Sequence, residues 1–145
     1  MIHNILRHLF APDPSTFGET DAALALAALM VRIARSDGNY SGDEIAQIDR
    51  VLAERHRLDA PGAADLRLQA EALEAAAPDT VRFTRALKGA VPLDERKRLV
   101  EALWAVALAD GKRDVEEDRL LRLVTSLLGL TDVESAQARH RAQTP

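Results

Sequence analysis

The sequence predicts an all-α fold, and three observations support this class. Alanine and leucine abound whereas aromatic residues make up only 3% of the chain, a composition that disfavours β-strands. Apolar residues recur at helical spacing along most of the chain. No glycine- or serine-rich linker divides the 145 residues, a length that suits one domain with a sizeable core. We therefore predict a single domain, residues 1–145, formed by a helical bundle of seven to eight helices.

Four helices are predicted in the first half of the chain. Residues 1–10 place isoleucine and leucine at helical spacing before two prolines end the segment. This segment could rest on a membrane surface, but we expect it to pack on the domain's own core. Residues 20–36 are apolar nearly all round, which is typical of a central, buried helix. A third helix begins after Ser41, and an alanine-rich fourth covers 63–77.

Four more helices are predicted in the second half. Pro78 suits the first turn of the fifth helix, because proline is tolerated there, and Pro92 lies at the start of the sixth. The seventh helix covers 115–128. Thr131 and Glu134 have the spacing of a capping box, in which each residue's side chain bonds the other's backbone, so they are expected to open a polar last helix.

Charge and composition exclude several classes of function. The net charge of −4 does not indicate a nucleic-acid partner. The absence of cysteine excludes disulfides, thiolate nucleophiles and sulfur-based zinc sites. The longest apolar run, residues 22–31, is far shorter than the roughly 20 residues of a membrane span. Nothing resembles a signal peptide, so we expect a cytoplasmic protein.

Motifs for catalysis or anion binding are also lacking. The four histidines form no HExxH motif, and neither a glycine-rich phosphate loop nor a G-x-S-x-G motif occurs. Trp104 lies in an apolar stretch and is expected in the core. The basic residues of the fifth and sixth helices are expected on solvated faces, although a partner's acidic patch or an anionic membrane surface would also suit them: Arg82, Arg85, Lys88, Arg96, Lys97 and Arg98.

An internal repeat is the most informative feature of the sequence. Setting Asp37 against Asp110 aligns a segment around 22–56 with one around 95–130. Each copy reads as a buried helix, an Asp-Gly pair, and an amphipathic helix that opens with a cap and acidic residues. The equivalent residues include Gly38 with Gly111, Ser41 with Asp114, and Glu44 with Glu117. This pattern predicts two related helix pairs arranged about a pseudo-twofold axis.

The first copy resembles a calcium-binding EF-hand loop, but the resemblance fails. Asp37, Asn39, Ser41 and Gly42 occupy positions one, three, five and six of that pattern. Position twelve should be a bidentate glutamate, whereas this chain has Ile48 there. An EF-hand is therefore rejected.

Two interpretations of the repeated acidic residues stay open. In the first, they only cap helices and interact with the helix dipoles. In the second, the pseudo-twofold axis brings the two turns together, and their carboxylates converge on a cation that offsets their mutual repulsion. All-oxygen ligands would suit one divalent cation, Ca²⁺, Mg²⁺ or Mn²⁺.

The doubled motif, a buried helix ending in A-x-(S/A)-D-G followed by a capped acidic helix, resembles the tellurite-resistance TerB family. A related domain is the N-terminal domain of a DnaJ-like membrane co-chaperone. The resemblance implies an all-α fold of paired helical hairpins and a metal site formed by Asp37, Glu44, Asp110 and Glu117. It also implies a non-catalytic stress-response module that acts through protein or membrane-peripheral contacts. A regulatory domain of a co-chaperone-like system is the alternative, and an enzyme of unknown chemistry is less favoured. The partner's identity and the oligomeric state stay open.

Overall fold

The computed structural model describes residues 19–76, 80–111 and 114–143. These residues form seven α-helices, and no strand occurs among them. The predicted all-α class is confirmed, whereas the helix predicted for residues 1–10 lies outside the described residues. In chain order the helices are α1 (Glu19–Arg35), α2 (Gly42–His56), α3 (Ala60–Ala76), α4 (Thr80–Ala90), α5 (Leu93–Ala107), α6 (Val115–Leu127) and α7 (Asp132–Gln143).

Helix α1 is the centre of the bundle and packs against α2, α3, α4, α5 and α6. Its apolar residues point in every direction, and those from Leu24 to Val31 are all buried. Several of them are alanines, whose small side chains allow neighbouring helices to approach closely. The expectation of a central, buried helix is therefore confirmed.

A polar network links α2, α3 and the turn before α2. The Arg67 guanidinium lies 2.6 Å from Asp49 of α2 and 2.9 Å from Glu71 of its own helix. The Tyr40 hydroxyl donates to Glu71 at 2.7 Å. Burial and the neighbouring Glu71 carboxylate both raise the pKa of the Tyr40 phenol. This network fixes the turn that carries the first Asp-Gly pair.

The second half of the bundle packs α5 against α7. Trp104 of α5 is 5% exposed, which confirms the expected core position. Its indole N–H donates to the Ser135 hydroxyl of α7 at 3.2 Å. The Arg96 guanidinium donates to the Leu128 carbonyl at 2.6 Å and so satisfies the C-terminal end of α6.

Helix boundaries follow the local capping signals. Thr131 and Glu134 form the predicted capping box, with a backbone-to-side-chain hydrogen bond in each direction. Helix α3 starts at Ala60, earlier than predicted, because the Asp59 carboxylate accepts the Gly62 N–H at 2.8 Å and caps the helix there. Pro92 is the N-cap residue of α5, which agrees with its predicted place at the start of that helix, whereas Pro78 lies outside the described residues. Among the described residues, none of the helices combines the length and the apolar character needed to cross a membrane.

Candidate metal centre

Two helix junctions supply the candidate site. The first connects α1 to α2 and contains Gly38, with a φ of +80°. The second connects α5 to α6 and contains Gly111, with a φ of +75°. Glycine adopts this left-handed conformation without steric penalty, which is why an Asp-Gly pair can end each helix so sharply.

In the first junction, Ser41 and Glu44 form a complete capping box. The Ser41 hydroxyl accepts the Glu44 N–H at 3.1 Å, and Glu44 Oε1 accepts the Ser41 N–H at 3.0 Å. The same hydroxyl also donates to Glu44 Oε1, at 3.1 Å. The other oxygen, Glu44 Oε2, is buried and has no hydrogen-bond partner. One carboxylate oxygen therefore caps the helix while the other is available for a ligand.

The second junction uses its equivalent residues differently. Asp114 Oδ2 accepts the N–H groups of Glu116 at 2.9 Å and Glu117 at 3.1 Å, so aspartate alone caps α6. In the described part of the chain, Glu117 returns no hydrogen bond to the Asp114 backbone. Its carboxyl group lies instead against those of Glu44 and Asp37.

Three of the four predicted ligands therefore meet. Asp37, Glu44 and Glu117 each offer a carboxylate oxygen, and these oxygens lie within 4.8 Å of one another. Glu44 is fully buried and Glu117 is 2% exposed, whereas Asp37 is half-buried and accepts the Asn39 N–H at 2.8 Å. The fourth predicted ligand, Asp110, lies half-buried in the turn after α5 and outside this group.

The closeness of three carboxyl groups changes their acidity. Burial raises the pKa of Glu117 to about 9, and the charges of Glu44 and Asp37 add to this effect. Burial also raises the pKa of Glu44, although the hydrogen bonds from Ser41 partly offset it. Without a cation, the Glu44–Glu117 pair therefore retains a proton at neutral pH.

A divalent cation fits this group of residues. Glu44 Oε2 and Glu117 Oε2 are both buried, and no backbone N–H or other side chain donates to them, so either the proton held by the pair or a cation in its place must satisfy them. Opposite oxygens around Ca²⁺ are about 5 Å apart, given bond lengths of about 2.3–2.6 Å, so a 4.8 Å cluster is within its reach. Capping and cation binding are thus compatible in Glu44, because each uses a different oxygen.

A family model described as "Tellurite resistance protein TerB" matches residues 23–140, which is most of the chain. The chain belongs to the TerB family. The resemblance inferred from the doubled motif is confirmed, and the region matched to TerB contains all four predicted ligands. The relation to the DnaJ-like co-chaperone domain stays a prediction. No curated protein and no solved structure matches this TerB-family chain.

The unequal roles of the two copies in this TerB-family chain were not anticipated from the sequence. The alignment of the copies treats Glu44 and Glu117 as equivalent capping-box residues, but only Glu44 forms that box. One signal was present: the first copy has serine at the cap, whereas the second has aspartate. Since a carboxylate cannot donate a hydrogen bond to Glu117, the second cap holds its glutamate less firmly.

Proposed function

We propose that this TerB-family domain is a non-catalytic module of the tellurite-resistance, stress-response type, and that it binds one divalent cation through Asp37, Glu44 and Glu117. The observation that carries the proposal is the pair of buried carboxylate oxygens without hydrogen-bond partners. Leaving such atoms unsatisfied is unfavourable, and a cation such as Ca²⁺, Mg²⁺ or Mn²⁺ would satisfy both in place of the proton that the pair holds without it. Asp110 stays a predicted fourth ligand from the second copy.

The proposed role of the cation is to link the two halves of the domain. Glu44 begins α2 in the first copy, and Glu117 begins α6 in the second. A cation held by both would neutralise their repulsion and fix the two junctions relative to each other. The fixed surface would then act by contact with a protein partner or with the periphery of a membrane.

Calorimetric titration tests the cation site. Chelator-treated protein is titrated with Ca²⁺, Mg²⁺ and Mn²⁺ in turn, and its melting temperature is measured with and without each cation. We expect one binding site and a higher melting temperature for at least one of the three. Absence of heat for all three cations, together with unchanged melting temperatures, would refute the proposal.

Two variants test whether Glu44 binds the cation in addition to capping α2. Glu44→Gln keeps a side chain that suits the capping box but removes one negative charge from the site. We expect it to abolish cation binding while the cation-free protein stays folded. Glu116→Gln is the matched control, because Glu116 is exposed and adjacent to Glu117 but outside the cluster. Cation affinity should be unchanged in this control.

A further inference from the structure

Tyr40 is the single tyrosine of the chain, and it lies in the first junction between two of the proposed ligands. Asp37 comes three residues before it, and Glu44 comes four residues after it. The Tyr40 hydroxyl donates to Glu71, which lies outside the acidic cluster. Because this hydroxyl is already engaged, an effect of Tyr40 on a bound cation must act through the position of the ligands.

The side chain of Tyr40 is held at both ends, by two different helices. Its hydroxyl donates to Glu71 Oε2 of α3 at 2.7 Å. The Arg35 guanidinium, in the last residue of α1, lies over the ring at 5.1 Å from its centroid, which is a cation–π contact. Arg35 is fixed in turn by Glu74 of α3 at 2.9 Å. One side chain therefore attaches the first junction to both α1 and α3.

The same oxygen of Glu71 also links the junction to α2, the helix that Glu44 begins. The Arg67 guanidinium donates to Glu71 Oε2 at 2.9 Å and to Asp49 Oδ1 of α2 at 2.6 Å. Asp49 lies five residues after Glu44, whereas Tyr40 lies four residues before it. Helix α3 therefore holds the start of α2 from both sides of Glu44.

This network of side chains carries no net charge. It pairs three carboxylates with three guanidinium groups: Asp49, Glu71 and Glu74 with Arg32, Arg35 and Arg67. Since the opposite charges are adjacent, their effects on a more distant cation largely cancel. The contribution of the network to cation binding is therefore geometric, because ligands that are already in place lose less conformational freedom on binding.

We propose that Tyr40 is a positioning residue for the cation site: its hydrogen bond to Glu71 holds the two ligands of the first junction in the geometry that binds the cation. This inference rests on the proposed function, because it concerns the affinity of the same site. Hydrogen bonds behind the ligands of a metal orient those ligands, and their loss typically lowers metal affinity by about 10–100-fold.

Calorimetric titration of Tyr40→Phe beside the wild type tests this role, with Ca²⁺, Mg²⁺ and Mn²⁺ added in turn to chelator-treated protein. Phenylalanine keeps the ring beneath Arg35 and removes only the hydroxyl. We expect one binding site in both proteins and a dissociation constant at least ~10-fold higher in Tyr40→Phe. Equal dissociation constants would overturn the positioning role and leave the proposed cation site intact. If the wild type bound none of the three cations, the proposed function and this inference would both be refuted.

Two further comparisons separate positioning from stability. A hydrogen bond that only stabilised the fold would change the melting temperature of the cation-free protein but not the cation affinity of the folded protein. Thr84→Val is the control, because it removes a buried hydroxyl that donates to carbonyl groups of its own helix, α4. Its cation affinity should equal that of the wild type.

Substitutions of Glu71 test the acceptor of the hydrogen bond. In Glu71→Gln the side-chain carbonyl can still accept from Tyr40, so this variant should bind the cation more tightly than Glu71→Ala. Equal affinity in the two Glu71 variants, or a weakening in Thr84→Val as large as that in Tyr40→Phe, would show that this hydrogen bond does not position the ligands.

Discussion

Replacing Glu117 with glutamine removes the carboxyl group whose pKa burial raises to about 9. In the unfolded chain this group has an ordinary pKa near 4.5. Between these two values the folded protein holds a proton that the unfolded chain has lost. The free energy of unfolding of the cation-free protein should therefore fall as the pH rises from about 5 to about 9, and the full stability should be present only below the lower value.

The size of this pH dependence is limited because only one proton is linked to unfolding. A single linked proton changes the free energy of unfolding by at most about 1.4 kcal/mol per pH unit, so the fall between pH 6 and pH 8 is at most about 2.7 kcal/mol. In Glu117→Gln this dependence should become much weaker, because the amide stays uncharged and can still donate to the carboxylates of Glu44 and Asp37. The remaining dependence comes from Glu44, whose pKa burial also raises. At pH 8 the variant should exceed the cation-free wild type by about 1–3 kcal/mol.

Urea unfolding at pH 6, 7 and 8 measures the free energy of unfolding of the wild type and of Glu117→Gln, first with a chelator and then with Ca²⁺. A cation present at about 100 times its dissociation constant would restore about 2.7 kcal/mol to the wild type, and the variant should gain nothing. Glu116→Gln is the control and should keep the wild-type pH profile. A flat profile in the cation-free wild type, or the same slope in Glu117→Gln, would refute the proton linkage.

Three further substitutions test the junctions and the core, each by urea unfolding against wild type. Gly38→Ala should destabilise the protein by about 1–2 kcal/mol because of the positive φ alone, since no atom lies near the added Cβ. Gly42→Ala is the control: its added Cβ has equal space and its φ is not positive, so this variant should not destabilise the protein. Ser41→Ala should lose about 0.5–2 kcal/mol because the cap of α2 is removed. Leu103→Ala should lose about 2–5 kcal/mol, because Leu103 is fully buried. If Leu103→Ala lowered the free energy of unfolding by less than ~1 kcal/mol, the result would contradict the described position of Leu103 in the core.

The helices and their ends were largely predictable because their causes are local. The capping box of Thr131 and Glu134 and the left-handed glycine at position 38 depend on residues within a few positions along the chain. The unusual end of α2 was not predictable in the same way. Arg57 adopts a conformation that its own side chain disfavours, so the surrounding structure holds it there.

The sequence by itself determined the all-α class, the two similar junctions and the family to which they belong. It also identified four acidic residues as candidates, since a repeat marks equivalent positions whatever their distance in space. Only the tertiary structure decided that Glu117 faces Glu44, from which it is 73 positions away in the sequence, while Asp110 lies outside the cluster. Convergence of side chains depends on how α1, α2, α5 and α6 pack together. Helical periodicity determines which face of each helix is buried but not which partners that face meets.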